Sequence, residues 1–382
     1  MFNADQTAFL ELIKAALFQR DFTVPTNVNW DGVYELAVNH CVVSLIEPYV
    51  PIDYKRIWEE GACRSRARFI QNLFEQNELI KLFNEKQIAY VIIKGTAAAM
   101  YYPVPSNRAM GDIDLFVAPV VFPVASELML NNGYRTIHDN GRHVEYEKHG
   151  VIFELHRKVS SQLCNDIDDV VIDGMQHSVE YRVCNSMFAG LPVFVNGLVI
   201  LNHLLQHIKG EGIGFRQIID WMMFVNQELD DDIWNNTFSK LTRDFGLEKT
   251  AITITYMCKR WLGLPKDITW CDDADGELAA SLILQIFHDG NFMRERSLSE
   301  NAINVSNSIK REGLFHYLQR SGMYNWKSSQ KQPLLRPFAW LYQLGRCIVK
   351  GIISLVTGRR ILRGYKQKLN FDEIISRLED HQ

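Results

Sequence analysis

VIIKGTAAAMYYPVPSNRAMGDIDLFV, residues 91–117, decides how the rest of the chain is read. The apolar run up to Lys94 predicts a strand. Gly95 opens a short helix, GTAAAMYY, which Pro103 and Pro105 end because proline lacks an N–H and restricts the residue before it. A polar loop follows, and GDIDLFVA predicts a second strand. Asp112 and Asp114 are one residue apart, and alternate residues of a strand share a face. Two carboxylates that close repel unless a cation lies between them. Hard oxygen ligands on a rigid strand suit Mg2+, which takes a few carboxylates together with phosphate oxygens. The turn at Gly95 offers helix-terminal N–H groups to a phosphate, and a Cβ there would block a close backbone approach. Turn and acid pair together suggest phosphoryl or nucleotidyl transfer.

Two cations flank the pair. Lys94 ends the first strand and could neutralise a triphosphate as a point charge. Arg108, four residues before Asp112, has a guanidinium able to grip phosphates bidentately. Each could equally form an ordinary ion pair. Gly111 would relieve crowding before the acid strand. A third acid, Glu154, lies in VIFELHRK, a predicted strand of the same sheet, with Ile152 and His156 on its face and Phe153 and Leu155 opposite. An acid so flanked is costly if buried unpaired. A metal answers that cost, and so does an arginine at the sheet edge.

Outward from this stretch, residues 88–160 show period two and apolar runs. YRTIHD predicts a third strand, and HVEYEKHG with VIFELHRK a hairpin turning near Gly150. Residues 120–132 predict a helix closed by Gly133. Residues 1–87 carry apolar positions at helical spacing, with Asn29 or Asp31 as a cap and a long helix over about 57–87. From 161 to 330 two short strand-like pieces, VEYRVC and LPVFVNG, precede helices at 196–210, 215–229 and beyond, a spacing that suggests an antiparallel bundle. The acids Asp166–Asp169 suit a helix N-terminus. Residues 331–382 form an apolar and basic helical tail, interrupted by Arg336, Arg346 and Lys350. It reads as a buried closing helix or as an amphipathic helix in peripheral contact with a membrane. The expected fold class is therefore α+β, a small mixed sheet embedded between helical N-terminal and C-terminal regions.

Composition bounds the rest. The chain has 382 residues, 47% hydrophobic and 23% charged, as in a globular protein. A net charge of −4 gives no global electrostatic reason for a long nucleic-acid partner. The clusters at Lys310–Arg311 and 359–368 suit a solvated face or an acidic partner. Seven scattered cysteines with no CxxC pair fit a reducing compartment. The start MFNADQTAFL has no basic-then-apolar leader pattern, and no uncharged apolar run of about eighteen residues occurs. The expectation is a cytoplasmic protein without a transmembrane span.

KGTAAAMYYP, NRAMGDIDLFV and FELH together resemble the polymerase-β-like minimal nucleotidyltransferases, and within them an uncharacterised bacterial nucleotidyltransferase family with KG, RxxxDIDL and ELH motifs. The likeness covers about 90–160 and extends more loosely to HLLQHIKGEGIGFRQIIDW, 203–221. It implies a small catalytic sheet between helical flanks, and Mg2+-dependent transfer of a nucleoside monophosphate from an NTP to an acceptor. By this resemblance Asp112 and Asp114 are shared ligands of two Mg2+ ions, and Glu154 is the third acid, holding the ion on the nucleophile's side. Thr96 stands where that superfamily commonly has Gly or Ser; its hydroxyl can still reach a phosphate oxygen. Glu replaces the commoner Asp at 154. The resemblance also places His207, Arg216 and Asp220 in the cleft opposite the sheet, Asp220 orienting Arg216 toward base, phosphate or acceptor. Read without it, His203 and His207 are polar residues of one helix face, four apart. His156 would stand behind the metal ligands. The acceptor (small molecule, sugar, protein or RNA) is left open. The rival reading is a non-catalytic protein of the same fold that binds a nucleotide or a partner.

Overall fold

The computed structural model describes residues 2–160, 166–210, 212–290, 313–326, 333–356 and 373–378. The first helices are α1 (Ala4–Phe18), α2 (Trp30–Asn39), the single turn α3 (Val43–Ile46) and the long α4 (Lys55–Glu85). Asn3 and Gln6 satisfy each other's backbone N–H at the start of α1, at 2.8 and 3.1 Å. Then come β1 (Val91–Ile93), α5 (Gly95–Ala99), β2 (Ile113–Phe116), α6 (Phe122–Asn131), β3 (Arg135–Asp139), β4 (His143–Lys148) and β5 (Val151–His156). After α7 (Asp168–Gln176), β6 (Val179–Val183) and β7 (Ser186–Gly190), helices α8 (Val193–Lys209) and α9 (Phe215–Glu228) follow, and further helices run to Asp289. The acids Asp168 and Asp169 do occupy the first turn of α7.

The strands form one seven-stranded sheet in the order β3-β4-β5-β2-β1-β7-β6. β1 runs antiparallel to β2, and β2 parallel to β5. The alternation of β2 and β5 sorts their side chains. Ile113, Leu115, Phe153 and Leu155 enter the core with Phe69, Leu73 and Phe83 of α4. Asp114 and Glu154, register partners, therefore leave by the opposite face. The β4–β5 turn has His149 and Gly150 both at positive φ, 51° and 76°, the backbone of a two-residue hairpin turn. It fixes His143 opposite His156 and Glu145 opposite Glu154.

Two expectations need correction. LPVFVNG is not a strand: β7 is the preceding SMFAG, and α8 begins at Val193, directly after Pro192. Burial decides this, since α8 is enclosed from Asn196 to Asn202 and the β-branched residues at its start follow the buried helix. Second, 88–160 does not bound the sheet. The β6–β7 hairpin from beyond 160 joins it beside β1. From residues 1–87, α4 supplies part of the sheet's core. The chain forms two compact units, Met1–Met293 with Ile375–Gln382, and Arg294–Ile374.

Within the second unit, helix Leu314–Asn325 packs on helix Ala339–Val356. They approach so closely that a Cβ on Gly322 would stand 1.9 Å from the Ala339 carbonyl oxygen. Leu341, Leu344 and Ile348 are exposed. No described helix is long and apolar enough to cross a membrane. The basic runs at 310–311 and 359–368 lie outside the described residues.

Candidate active site

Beneath the β1–α5 turn lies a cavity of about 740 Å³ lined by Lys94, Gly95, Asp112, Asp114, Glu154 and His156 on the sheet side, and by His203, His207 and Arg216 on the helical side. Each position follows from a local feature. Lys94 closes β1 with φ 52° and ψ −127°, a conformation that side-chain-bearing residues rarely adopt. That kink starts α5 and sends the Lys94 ammonium back over β2. A Cβ on Gly95 would lie 3.2 Å from the Met110 methyl and 3.6 Å from the Asp112 carbonyl oxygen. Glycine thus permits the turn to approach the segment leading into the acids. Gly111 has open space around its Cβ position, so the crowding expected there is absent.

The charges interlock. Lys94 Nζ donates to Asp114 Oδ1 at 2.7 Å and stands 4.0 Å from Glu154 Oε2. His156 Nε2 lies 2.9 Å from Asp114 Oδ1 and 3.1 Å from Glu154 Oε2. Burial alone would raise the Asp114 carboxyl; Lys94 and His156 outweigh it and hold the group well below the usual carboxylate range. Burial opposes the Lys94 charge too, but Asp114 and Glu154 overcome it and raise the ammonium's pKa. At Asp112 the help from Lys94 and Arg216 is outweighed. Burial first, then the negative charges of Asp114 and Glu154, push its carboxyl up to about 6. A buried acid whose negative neighbours outweigh its positive ones, beside two ionised carboxylates, belongs to a donor set suited to a divalent cation. All three acids offer the hard oxygens Mg2+ takes.

The helical wall has the opposite character. Burial, with Lys94 second, keeps the His203 imidazole well below its ordinary value. The same two causes, in the same order, hold His207 at about 4. Their rings meet edge to face, centroids 4.4 Å apart. Arg216 donates from Nη1 to the Ala109 carbonyl at 3.1 Å, while its buried Nε and the buried His207 Nδ1 have no hydrogen-bond partner.

Not every expected residue reaches the cavity in the expected way. The Thr96 hydroxyl donates to Gln76 Oε1 at 2.7 Å, buried against α4, so it does not face a phosphate. Arg108 lines the cavity, but Nε and Nη2 donate to Asp220 Oδ1 and Oδ2 at 2.8 and 2.7 Å. Asp220 accordingly orients Arg108, not Arg216, and the Tyr102 hydroxyl also donates to it at 2.8 Å. Arg216, not Arg108, is the arginine with uncommitted donors. His143 and Glu145 of β4 also line the cavity, and the sequence reading passed over both. The hairpin turn was the signal: pairing across 149–150 places them opposite His156 and Glu154.

Residues 26–263 match a family described as an uncharacterised nucleotidyltransferase. Among solved structures, similarity is found to the crystal structure of an antigenic nucleotidyltransferase-like protein from Paracoccidioides brasiliensis. It is 13% identical with a TM-score of 0.30, covering 47% of this chain and 92% of that chain. No curated protein sequence matches.

Proposed function

The chain belongs to the uncharacterised nucleotidyltransferase family, and from that premise we propose that it transfers a nucleoside monophosphate from an NTP to an acceptor with the help of Mg2+. One observation carries the reading: Asp114 and Glu154 are register partners on neighbouring parallel strands, and Asp112 lies two residues before Asp114, so three acids line a single cavity. A volume of about 740 Å³ suits a nucleotide. Asp112, Asp114 and Glu154 would hold two Mg2+ ions, which supply charge neutralisation for the triphosphate and a more acidic acceptor hydroxyl.

The protein's own groups do the positioning. Lys94 and Arg216 bring positive charge to the phosphates from the turn and from the helical wall. Glu154, kept ionised because His156 and Lys94 outweigh its burial, accepts the acceptor's proton. The acceptor oxygen attacks the α-phosphorus, the bond to the departing oxygen breaks, and pyrophosphate leaves. The cytoplasm is the compartment this reading favours, in keeping with free thiols at Cys41, Cys63, Cys184, Cys258 and Cys271.

The test is incubation with α-labelled NTPs and Mg2+, scoring label on the protein itself, RNA, sugars and small molecules. Label moves with the wild type and not with Asp112→Asn, whose fold is unchanged because Asp112 has the least structural bonding of the three. If no acceptor is labelled and Mg2+ leaves NTP affinity unaltered, the enzyme reading fails. A nucleotide-binding protein without catalysis is favoured by the Lys94 and His156 contacts, which already neutralise Asp114 and Glu154 from within. It predicts NTP binding that is the same with Mg2+ and with EDTA.

A further inference from the structure

The non-core face of β4 and β5 carries more than carboxylates. His143, Glu154 and His156 each present a ligand atom, and these atoms lie within 4.8 Å of one another. We propose that this trio, with Asp114, forms a nitrogen-bearing metal centre that selects a first-row transition ion such as Mn2+ or Co2+ over Mg2+. The inference deepens the two-ion reading above, on which it rests for the place of Glu154 beside the reacting groups.

Hydrogen bonding prepares both imidazoles as ligands. Asn140 Oδ1 accepts from the backbone N–H groups of Arg142 and His143, at 2.9 and 3.1 Å. That fixes the amide so that Nδ2 faces His143 Nε2 at 3.0 Å and donates to it. His143 Nε2 is thereby held as the unprotonated ring nitrogen, 3.6 Å from Glu154 Oε1. On His156, Nδ1 faces the Lys158 carbonyl at 3.4 Å, the outer contact typical of a metal-bound histidine. Its Nε2 then meets Asp114 Oδ1 at 2.9 Å and Glu154 Oε2 at 3.1 Å. The His156 Nε2 proton and the Lys94 ammonium, 2.7 Å from Asp114 Oδ1, hold these atoms together, and a metal ion would take that proton's place. Neighbouring ligands of an octahedral ion, at about 2.1 Å from it, stand about 3.0 Å apart. The two separations at His156 match that edge, and His143 Nε2, 3.6 Å from Glu154 Oε1, lies a little beyond it.

Two imidazoles with carboxylates are a mixed donor set that suits transition ions, whereas Mg2+ prefers oxygen alone. The two histidines face each other across the β4–β5 ladder, ring centroids 4.7 Å apart. Binding replaces the Asn140 hydrogen bond on His143 and the proton shared between His156 and the acids. No bond of substrate is involved.

The experiment titrates the full chain, stripped with EDTA and without nucleotide, with Co2+ followed by its visible absorption and with Mn2+ followed by its electron paramagnetic resonance. Mg2+ serves as competitor. Both ions bind at one equivalent at least about tenfold more tightly than Mg2+. His143→Ala and His143→Asn each weaken Co2+ by about 10–100-fold while Mg2+ affinity and circular dichroism are kept. His177→Ala, at an exposed histidine just after α7, changes nothing. If Co2+ binds no more tightly than Mg2+, or equally to wild type and both His143 variants, the centre is not a nitrogen-bearing one. Because no nucleotide is present, failure here is separate from failure to find nucleotidyl transfer.

Discussion

Lys94 shows what a single residue contributes at this site. Its neighbours define a turn in any reading of the sequence, but its conformation, φ 52° and ψ −127°, is one that glycine tolerates and lysine does not readily. The ammonium's ties to Asp114 and Glu154 offset that strain. Arg108 illustrates the opposite outcome. Its place four residues before Asp112 fits a phosphate grip, yet the fold turns it onto Asp220, where both groups are buried. Breaking a buried pair leaves one uncompensated charge. Asp220→Ala should therefore cost about 3–5 kcal/mol in urea unfolding. A change under about 1 kcal/mol would mean that Arg108 finds other partners and is free to serve a ligand.

Between elements, the position of α8 against α9 sets the helical wall of the cavity, because α8 carries His203 and His207 and α9 carries Arg216. Their approach depends on Gly197, where a Cβ would fall 2.1 Å from Cζ of Phe224. Alanine favours a helix over glycine by about 1 kcal/mol, but forcing overlap costs about 1–3 kcal/mol or more. Gly197→Ala is expected to lower the urea midpoint despite the better helix former. An unchanged or raised midpoint would show that Phe224 moves aside freely. The β4–β5 hairpin works similarly on the sheet side. Its two-residue turn sets the register that pairs His143 with His156, and a slip of β4 by one residue would send His143 to the core face.

Across the first compact unit, the N-terminal helices and the later ones share one aromatic cluster. The His40 ring lies among Phe9 of α1, Phe215 of α9 and Phe287 of helix Gly276–Asp289, centroids 5.6, 4.9 and 6.0 Å away. Burial pushes the His40 imidazole down to about 3. The unfolded chain takes up that proton near pH 6.5 and the folded one does not. Its neutral form is thus no penalty above about pH 6.5, and stability falls as pH drops from there toward 3, by about 1.4 kcal/mol per pH unit. His40→Gln should make the pH dependence of the urea midpoint shallower by that amount between about pH 4.5 and 6. Equal slopes in the two proteins would show that His40 is protonated inside the fold.

The sequence by itself determined the core of the site. Alternation in GDIDLFV and VIFELH puts the acids on one face because a strand has period two, and glycine and proline punctuation marks the turn and the end of its helix. Local chemistry of this kind needs no knowledge of distant partners. Only the tertiary structure decided how the sheet is completed, since the β6–β7 hairpin joins β1 through a pairing more than ninety residues away, Ile92 with Gly190. Tertiary packing also decided which arginine is committed, where the Thr96 hydroxyl points, and that LPVFV enters a helix. In each case a buried contact with another element outweighs the preference of the local sequence, and such contacts leave no periodic mark in the chain.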